Sequence, residues 1–184
     1  EVTAANFDEA RDKVMMGAER HFVISEEERR RLAVHEAGHT AVAYHLPGAD
    51  PIHKVTIIPR GRALGATHQL PEEERHTLTE DYLKGRLAVM LAGRANEQLL
   101  LGGVSSGADN DIKQATAIAR MMISRWGMSD EIGPVDVSDG EEHPFLGREM
   151  AMPRHHGEAT ARLVDEAVHD LLVAAEDTAA TLLE

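Results

Sequence analysis

The chain has 184 residues, a length that suits one compact domain or one domain with a helical extension. Its formal net charge of −13 argues against a nucleic-acid surface or an anionic membrane surface as partner, and the absence of cysteine excludes a disulfide scaffold. Hydrophobic residues make up 42% and aromatic residues only 3%, so a core must consist of aliphatic side chains and the eight methionines.

The first predicted helix covers residues 7–20. Asn6 and Glu9 have the spacing of a capping box, in which two side chains satisfy free backbone N–H groups of the first turn. Three apolar side chains at helical spacing predict that one face of this helix packs against the rest of the domain. They are Val14, Met15 and Ala18.

The second predicted helix, residues 26–46, has clear signals at both ends. Ser25 and Glu28 form a capping box, acidic residues fill the first turn, and Pro47 follows the last residue. The residues that share its inner face are Leu32, His35, His39 and Val42. The residues expected on its solvent side are Glu26, Arg29, Arg30 and Arg31.

Residues 35–39 of this helix spell H-E-x-x-H. A step of four residues leaves His35 and His39 about 40° apart on one helix face, so both imidazoles can bind one ion, and nitrogen ligands suit zinc. Glu36 points in another direction, which leaves its carboxylate available to take a proton from water. Gly38 has no Cβ, so another segment can approach the helix closely there.

Two strands are predicted next. Residues 53–58 form the clearer one and end at Pro59. Residues 63–70 form a weaker strand that contains a glycine, and this strand suits either a sheet edge that pairs with an extended substrate backbone or a plain sheet edge. The sequence leaves both interpretations open. The candidate substrate-binding residues on it are Gly65, Ala66, Thr67 and His68.

Three further helices predict a mainly α fold with a small β-sheet beside the H-E-x-x-H helix and a helical bundle at the C-terminal end. They cover residues 79–101, which two glycines follow, residues 110–126, and residues 155–184. Residues 127–148 contain the glycines and prolines typical of a loop. The apolar stripes of the last two helices consist of Ile112, Ala115, Ala119 and Met122, and of Leu163, Val164, Ala167, Leu171 and Leu172.

A catalytic zinc site needs a third protein ligand and one position left for water. His45 has the spacing of an extended zinc pattern, but that pattern requires a glycine where this chain has Val42. Because the helix is expected to continue past Val42, His45 lies on another helix face and is disfavoured as the third ligand.

Carboxylates are the other candidates for the third ligand. Glu97 lies in the long predicted helix and stays a candidate, although a surface or ion-paired role fits it equally well. Asp109 and Asp111 lie at a predicted helix N-terminus, where the helix dipole favours an ionised carboxylate. Asp109 or Asn110 would serve as the helix cap, so the spacing favours Asp111 as the ligand.

Eight separated segments carry a specific combination of motifs. They are FDEARDKVMMG at 7–17, HEAGH at 35–39, PIHKVTIIPRG at 51–61, LPEE at 70–73, GR at 93–94, ND at 110–111, WGMS at 126–129 and FLGR at 145–148. Together they resemble the peptidase domain of the FtsH family, whose members are membrane-anchored, ATP-dependent zinc proteases. The resemblance covers essentially the whole chain.

The resemblance implies a zinc endopeptidase that cleaves unfolded or membrane proteins. It implies one zinc ion per chain, bound by His35, His39 and Asp111, with Glu36 as the catalytic base and Glu97 nearby without binding the metal. It also implies a single domain over residues 1–184. In that domain, residues 1–24 lead in from an upstream ATPase module, residues 25–150 form the metal-site core, and residues 151–184 form C-terminal helices.

The family's ATPase module and membrane spans are expected to belong to an upstream region. This chain has no G-x-x-x-x-G-K-[ST] loop and no spanning segment, and Glu1 is not an initiator methionine, so we expect a soluble piece of a longer protein. Such a piece is expected neither to bind nor to hydrolyse ATP. For the full-length protein the resemblance implies a homo-hexamer, on the cytoplasmic face of a bacterial inner membrane or on an organellar inner membrane.

Three residues depart from the usual family pattern. Asp109 replaces a small residue, Asn96 replaces a frequent alanine, and His68 replaces an apolar residue. None is an expected ligand, so they bear on pH dependence and side-chain preference rather than on the reaction. Two other interpretations remain open. In one the metal only braces the helices, which predicts a fourth protein ligand; in the other the domain serves oligomerisation.

Overall fold

The fold is mainly helical with one small sheet, as predicted. The computed structural model describes residues 2–20, 23–60, 64–71, 75–138 and 156–184. A short 3₁₀ turn, Ser106–Ala108, directly precedes the fourth helix. The elements in chain order are α1 (Ala4–Met16), α2 (Glu26–His45), β1 (Ile52–Thr56), β2 (Ala66–Gln69), α3 (Glu80–Leu101), α4 (Asp109–Ser124) and α5 (Glu158–Leu183).

Helices α2 and α3 have the ends that the sequence predicts. The Ser25 hydroxyl accepts a hydrogen bond from the Glu28 backbone N–H at 3.2 Å, which satisfies one free donor of the first turn of α2. Thr79 caps α3 in the same way. The last residue of α3 is followed by Gly102 at φ 69°, a left-handed conformation that glycine adopts without steric cost.

Helix α1 differs from its prediction. It begins at Ala4 because Thr3 is the capping residue, and the Thr3 backbone N–H and hydroxyl both donate to Asn6 Oδ1 at 2.8 Å. The predicted apolar stripe is wrong, since Val14 is 86% exposed and Ala18 lies beyond the helix end. The buried side chain of α1 is Asp12, which forms an ion pair with Lys54 of β1.

Smaller differences concern the sheet and the last two helices. Strands β1 and β2 pair antiparallel, and both are shorter than predicted. Ile112 and Leu163 were predicted to face the core, but they are 42% and 43% exposed, because neighbouring residues of α4 and α5 form the contact with α3. Residues 145–148 and the predicted start of the last helix at His155 lie outside the described residues. A single helix, α5, occupies residues 158–183.

Helix α3 forms the centre of the fold, because α2, α4 and α5 all pack against it. One face of α3 joins α4 and α5 around Leu87 and Met122, and another joins α2 around Val42 and Ala92. None of the helices in the described ranges combines the length and apolar character that crossing a membrane requires. The division into residues 1–24, 25–150 and 151–184 stays a prediction.

Candidate metal centre

Helices α2 and α3 cross in close contact at Gly38. A Cβ at this position would overlap the Ala92 carbonyl oxygen and the Asn96 side chain, so the close approach requires glycine. The Asn96 side-chain amide donates to the Val34 carbonyl at 2.6 Å and joins the two helices. This crossing presses the inner face of α2 against α3.

Two histidines and an aspartate meet at this crossing. His35 Nε2 lies 3.0 Å from His39 Nε2 and 3.2 Å from Asp111 Oδ2. His39 Nε2 lies 3.5 Å from the same Asp111 oxygen. Ligands bound to a tetrahedral zinc ion at about 2.0–2.1 Å are roughly 3.3–3.4 Å apart, which these separations approach.

Both imidazoles turn a lone pair toward the centre of this group. His39 Nδ1 donates to the Val89 carbonyl at 2.7 Å, and His35 Nδ1 donates to Glu97 Oε1 at 2.8 Å. These two bonds place the ring proton of each neutral imidazole on Nδ1 and leave Nε2 as an acceptor. Two nitrogen lone pairs and a carboxylate oxygen of Asp111 therefore face one another, an arrangement that a cation stabilises.

The wall opposite the imidazoles is the backbone of α3 at Gly93. A Cβ on this residue would lie 2.5 Å from His35 Nε2 and 2.6 Å from His39 Nε2. The glycine therefore keeps free the space that a metal ion would need. Donor types, separations and free space all fit a zinc ion, which prefers such nitrogen and oxygen ligands.

The charges around the centre favour ionised carboxylates. Burial raises the pKa of Asp111, but when no metal is bound, Nε2–H groups of His35 and His39 can donate to its carboxylate, and these hydrogen bonds outweigh burial and lower this pKa to about 2. Burial likewise raises the pKa of Glu97, and hydrogen bonds from Ser105, His35 and Arg31 outweigh it and bring the pKa below its usual value. Burial lowers the pKa of His35, but its bonds to both carboxylates raise the pKa overall.

Glu36 lies beside the candidate ligand group of His35, His39 and Asp111, and it contacts the predicted substrate strand. Thr67 Oγ1 of β2 donates to Glu36 Oε2 at 2.8 Å, and a Cβ on Gly65 would lie 2.7 Å from Glu36 Oε1. The contact between Thr67 and Glu36 has no signal in the sequence, because 31 residues separate the two side chains. Glu36, Gly65 and Thr67 line one cleft of about 1310 Å³. The same cleft is lined by His35, His39, Asp111, Ala66 and His68.

The other candidates for the third ligand lie elsewhere. His45 is exposed, with its ring centroid 5.0 Å from that of Tyr44. Asp109 forms an exposed ion pair with Lys113 at 2.7 Å. The prediction that Asp109 or Asn110 caps α4 is wrong, since Ala108 occupies the cap position without a side-chain hydrogen bond.

Glu97 and Arg31 make contacts at the centre that the sequence did not indicate. Glu97 hydrogen-bonds the ring edge of His35 that faces away from Asp111, and Arg31, expected in solvent, binds Glu97 instead. Among the residues that the structure describes, the group of side chains able to hold a metal consists of His35, His39 and Asp111. The fourth protein ligand that a purely bracing metal would require is therefore missing from this group.

Among known protein families, the chain matches peptidase family M41 over residues 22–184. An "ATP-dependent zinc metalloprotease FtsH" of Hahella chejuensis is 64% identical over 182 residues, which are 99% of this chain and 29% of the relative. The protein of the same name from Nitrosococcus oceani is 50% identical over 184 residues, 100% of this chain and 29% of the relative. An "ATP-dependent zinc metalloprotease FtsH 4" of Sphaerobacter thermophilus is 50% identical over 182 residues, covering 99% and 28%.

These relatives are much longer than the chain, which spans less than a third of their length. The match nevertheless extends from the segment before α2 to the last residue of the chain, and it includes all three residues of the candidate ligand group. The prediction drawn from the separated motifs is confirmed: the chain belongs to peptidase family M41, the zinc metalloprotease family of FtsH.

Proposed function

We propose that this chain is the endopeptidase part of a larger, ATP-dependent zinc protease. The proposal rests on one observation: two imidazole nitrogens and one carboxylate oxygen converge beside the carboxylate of Glu36, in one open cleft. Membership of peptidase family M41 and the names of the relatives support it.

In this proposal His35, His39 and Asp111 hold one zinc ion. When bound, zinc supplies a Lewis acid that polarises a peptide carbonyl and lowers the pKa of water to about 7. The protein contributes the donor geometry: the Val89 carbonyl and the Glu97 carboxylate fix the orientation of the two rings. Asp111 stays ionised at neutral pH because its pKa is about 2.

Glu36 is proposed as the general base. It accepts a proton from the attacking water and passes it to the departing amine nitrogen of the cleaved peptide. Thr67 holds one carboxylate oxygen at 2.8 Å, and the missing side chain of Gly65 leaves room for the other. A base fixed in this way needs little reorganisation when the substrate arrives.

The edge of β2 is proposed to bind the substrate as an added strand. In the described sheet β2 pairs only with β1, so its other edge is open to an extended peptide. The residues of this substrate strand are Gly65, Ala66, Thr67 and His68, and all four line the cleft. Because only an extended backbone can pair in this way, unfolded proteins or unfolded segments of membrane proteins are the proposed substrates.

Three properties are proposed for the full-length protein alone. ATP dependence is inferred from the names of the relatives, and these proteins are more than three times as long as this chain. A homo-hexameric assembly and attachment to the cytoplasmic face of a bacterial inner membrane, or to an organellar inner membrane, rest on the family resemblance.

Metal analysis and casein cleavage test this proposal. The wild type should contain one zinc ion per chain and cleave casein, and Glu36→Gln should keep zinc while kcat falls by about a hundredfold or more. Asp111→Ala should lose zinc, whereas the matched control Asp109→Ala should retain both zinc and activity. Undiminished cleavage by Glu36→Gln, or full zinc content in Asp111→Ala, would reject the assigned roles.

A further inference from the structure

The buried carboxylate of Glu97 connects the metal-binding helix with the loop that leads to Asp111. Its side chain is 1% exposed, and His35 Nδ1 donates to Oε1 at 2.8 Å. The Ser105 side chain, from the loop, also hydrogen-bonds this carboxylate. Glu97 therefore contacts α2, which carries His35 and His39, and also the loop that leads to Asp111.

Arg31 adds a second connection between the same two parts of the structure. It lies on α2, one helical turn before His35. Its Nη1 donates to Glu97 Oε2 at 3.1 Å and to the Gly103 carbonyl at 3.2 Å. One nitrogen thus joins α2 to the buried carboxylate and to the backbone of the loop after α3.

The loop matters because it determines where Asp111 lies. After Gly103 the chain passes Ser105, whose hydroxyl accepts a hydrogen bond from the Gly107 N–H at 3.2 Å, and then enters the 3₁₀ turn that precedes α4. Asp111 is in the first turn of α4, 76 residues from His35 in sequence. Its distance from the two imidazoles therefore depends on how firmly this loop is attached to α2.

Arg31 also balances charge. The carboxylates of Glu36, Glu97 and Asp111 surround a site for which a dication would supply only two positive charges. The guanidinium supplies the third, and its side chain is 34% exposed, so much of this charge is removed from water. A buried carboxylate that loses such a partner is left with an uncompensated charge.

We propose that Arg31 is a positioning residue that attaches the Asp111-bearing loop to the metal-binding helix and thereby slows the release of zinc. The inference rests on the proposed zinc site and names a contribution to it from outside the ligands. Groups that orient metal ligands typically change metal affinity by about 10–100-fold when removed. Arg31 acts on two of the three ligands, His35 through Glu97 and Asp111 through Gly103.

The test compares Arg31→Met with Arg30→Met in the zinc-loaded protein. Methionine keeps most of the aliphatic stem but removes the donors, and Arg30 is the exposed neighbour on the same helix. Zinc release into an excess of a colorimetric chelator should be about tenfold or more faster from Arg31→Met than from the wild type. Release from Arg30→Met should stay within about twofold of the wild type.

Two further measurements separate positioning from a general loss of stability. Arg31→Met removes the partner of the buried Glu97 carboxylate in the metal-free protein as well, so its thermal unfolding midpoint without metal should fall below that of Arg30→Met. Zinc release is therefore compared at a temperature at which both metal-free variants stay folded. With Co²⁺ in place of zinc, the visible absorption spectrum of Arg31→Met should change, since it reports the ligand geometry. A release rate within twofold of the wild type at that temperature would overturn the proposal, as would an unchanged cobalt spectrum.

The proposed function fails in a different way. If the wild type binds no zinc, the metal centre itself is rejected and Arg31 has nothing to position. If the wild type binds zinc tightly and Arg31→Met releases it at the same rate, only the role of Arg31 is rejected.

Discussion

Thr67 Oγ1 lies 2.8 Å from Glu36 Oε2 and donates a hydrogen bond to it. The same hydroxyl lies 3.3 Å from the Glu36 backbone carbonyl. Strand β2, the proposed substrate strand, is therefore in direct contact with the proposed base. Pairing of a peptide with β2 would place the peptide at a fixed distance from the Glu36 carboxylate.

This contact predicts that Thr67→Val lowers kcat by about tenfold or more while zinc content stays the same. Valine has nearly the shape of threonine but cannot donate, so the Glu36 carboxylate loses its orientation without a change in packing. Thr67→Ser retains a hydroxyl and should keep most of the activity. Casein cleavage at several substrate concentrations, combined with metal analysis, measures both effects. Equal kcat values for the valine and serine variants would remove Thr67 from this role.

Gly93→Ala should abolish zinc binding without unfolding the protein. The new methyl group would lie 2.5 Å from His35 Nε2 and 2.6 Å from His39 Nε2, in the space proposed for the metal ion. Gly157→Ala is the matched control, because a Cβ there meets nothing within 4 Å. Zinc content by atomic absorption and helical content by circular dichroism give the two readouts. A fully loaded Gly93→Ala protein would contradict the proposed position of the ion.

Zinc affinity should decrease as the pH falls through the pKa of His35. A proton on Nε2 competes with the metal, and bonds to Asp111 and Glu97 outweigh burial and raise this pKa above its usual 6.5. Asp111 has a pKa of about 2 and stays ionised, so it does not contribute to the pH dependence of zinc affinity near neutral pH. Competition titrations with a chelator between about pH 5.5 and 8.5 measure the affinity.

The control for this pH effect is Glu97→Gln. Without the Glu97 charge, the pKa of His35 falls, so the loss of affinity should move to lower pH. If the zinc affinity of the wild type does not vary with pH, protons do not compete with the metal for His35.

Leu87→Ala should lower the free energy of unfolding by about 2–5 kcal/mol, because Leu87 is 0% exposed in the core that α3 shares with α4 and α5. Leu100 lies on the same helix and is 61% exposed, so Leu100→Ala should change this free energy by less than about 0.5 kcal/mol. Urea unfolding of the metal-free protein measures both. Similar values for the two variants would mean that this face of α3 is not a core face.

Local signals in the sequence predicted most of the helices. Ser25 and Glu28 mark the start of α2, and Gly102 marks the end of α3, because caps act through neighbouring backbone groups. The four-residue spacing of His35 and His39 predicted two imidazoles on one face, and their Nε2 atoms lie 3.0 Å apart. The start of α1 was wrong because Thr3 and Asn6 compete for the same capping role.

Contacts between distant segments could not be read in the same way. The bond from Thr67 to Glu36 spans 31 residues, and that from Arg31 to Glu97 spans 66. No spacing rule applies at such separations. Arg31 in particular belongs to a charged run that is typical of a solvated helix face, and only the crossing of α2 and α3 brings it to a buried carboxylate.

The two imidazoles differ in how easily evolution or mutagenesis can disturb them. His35 is oriented by the side chain of Glu97, so one codon change removes its support. His39 is oriented by the main-chain carbonyl of Val89, which every amino acid possesses. A substitution of Val89 therefore leaves the acceptor for His39 in place, whereas a substitution of Glu97 removes the acceptor for His35. Inherited variation in metal retention should arise more often at Glu97 than at Val89.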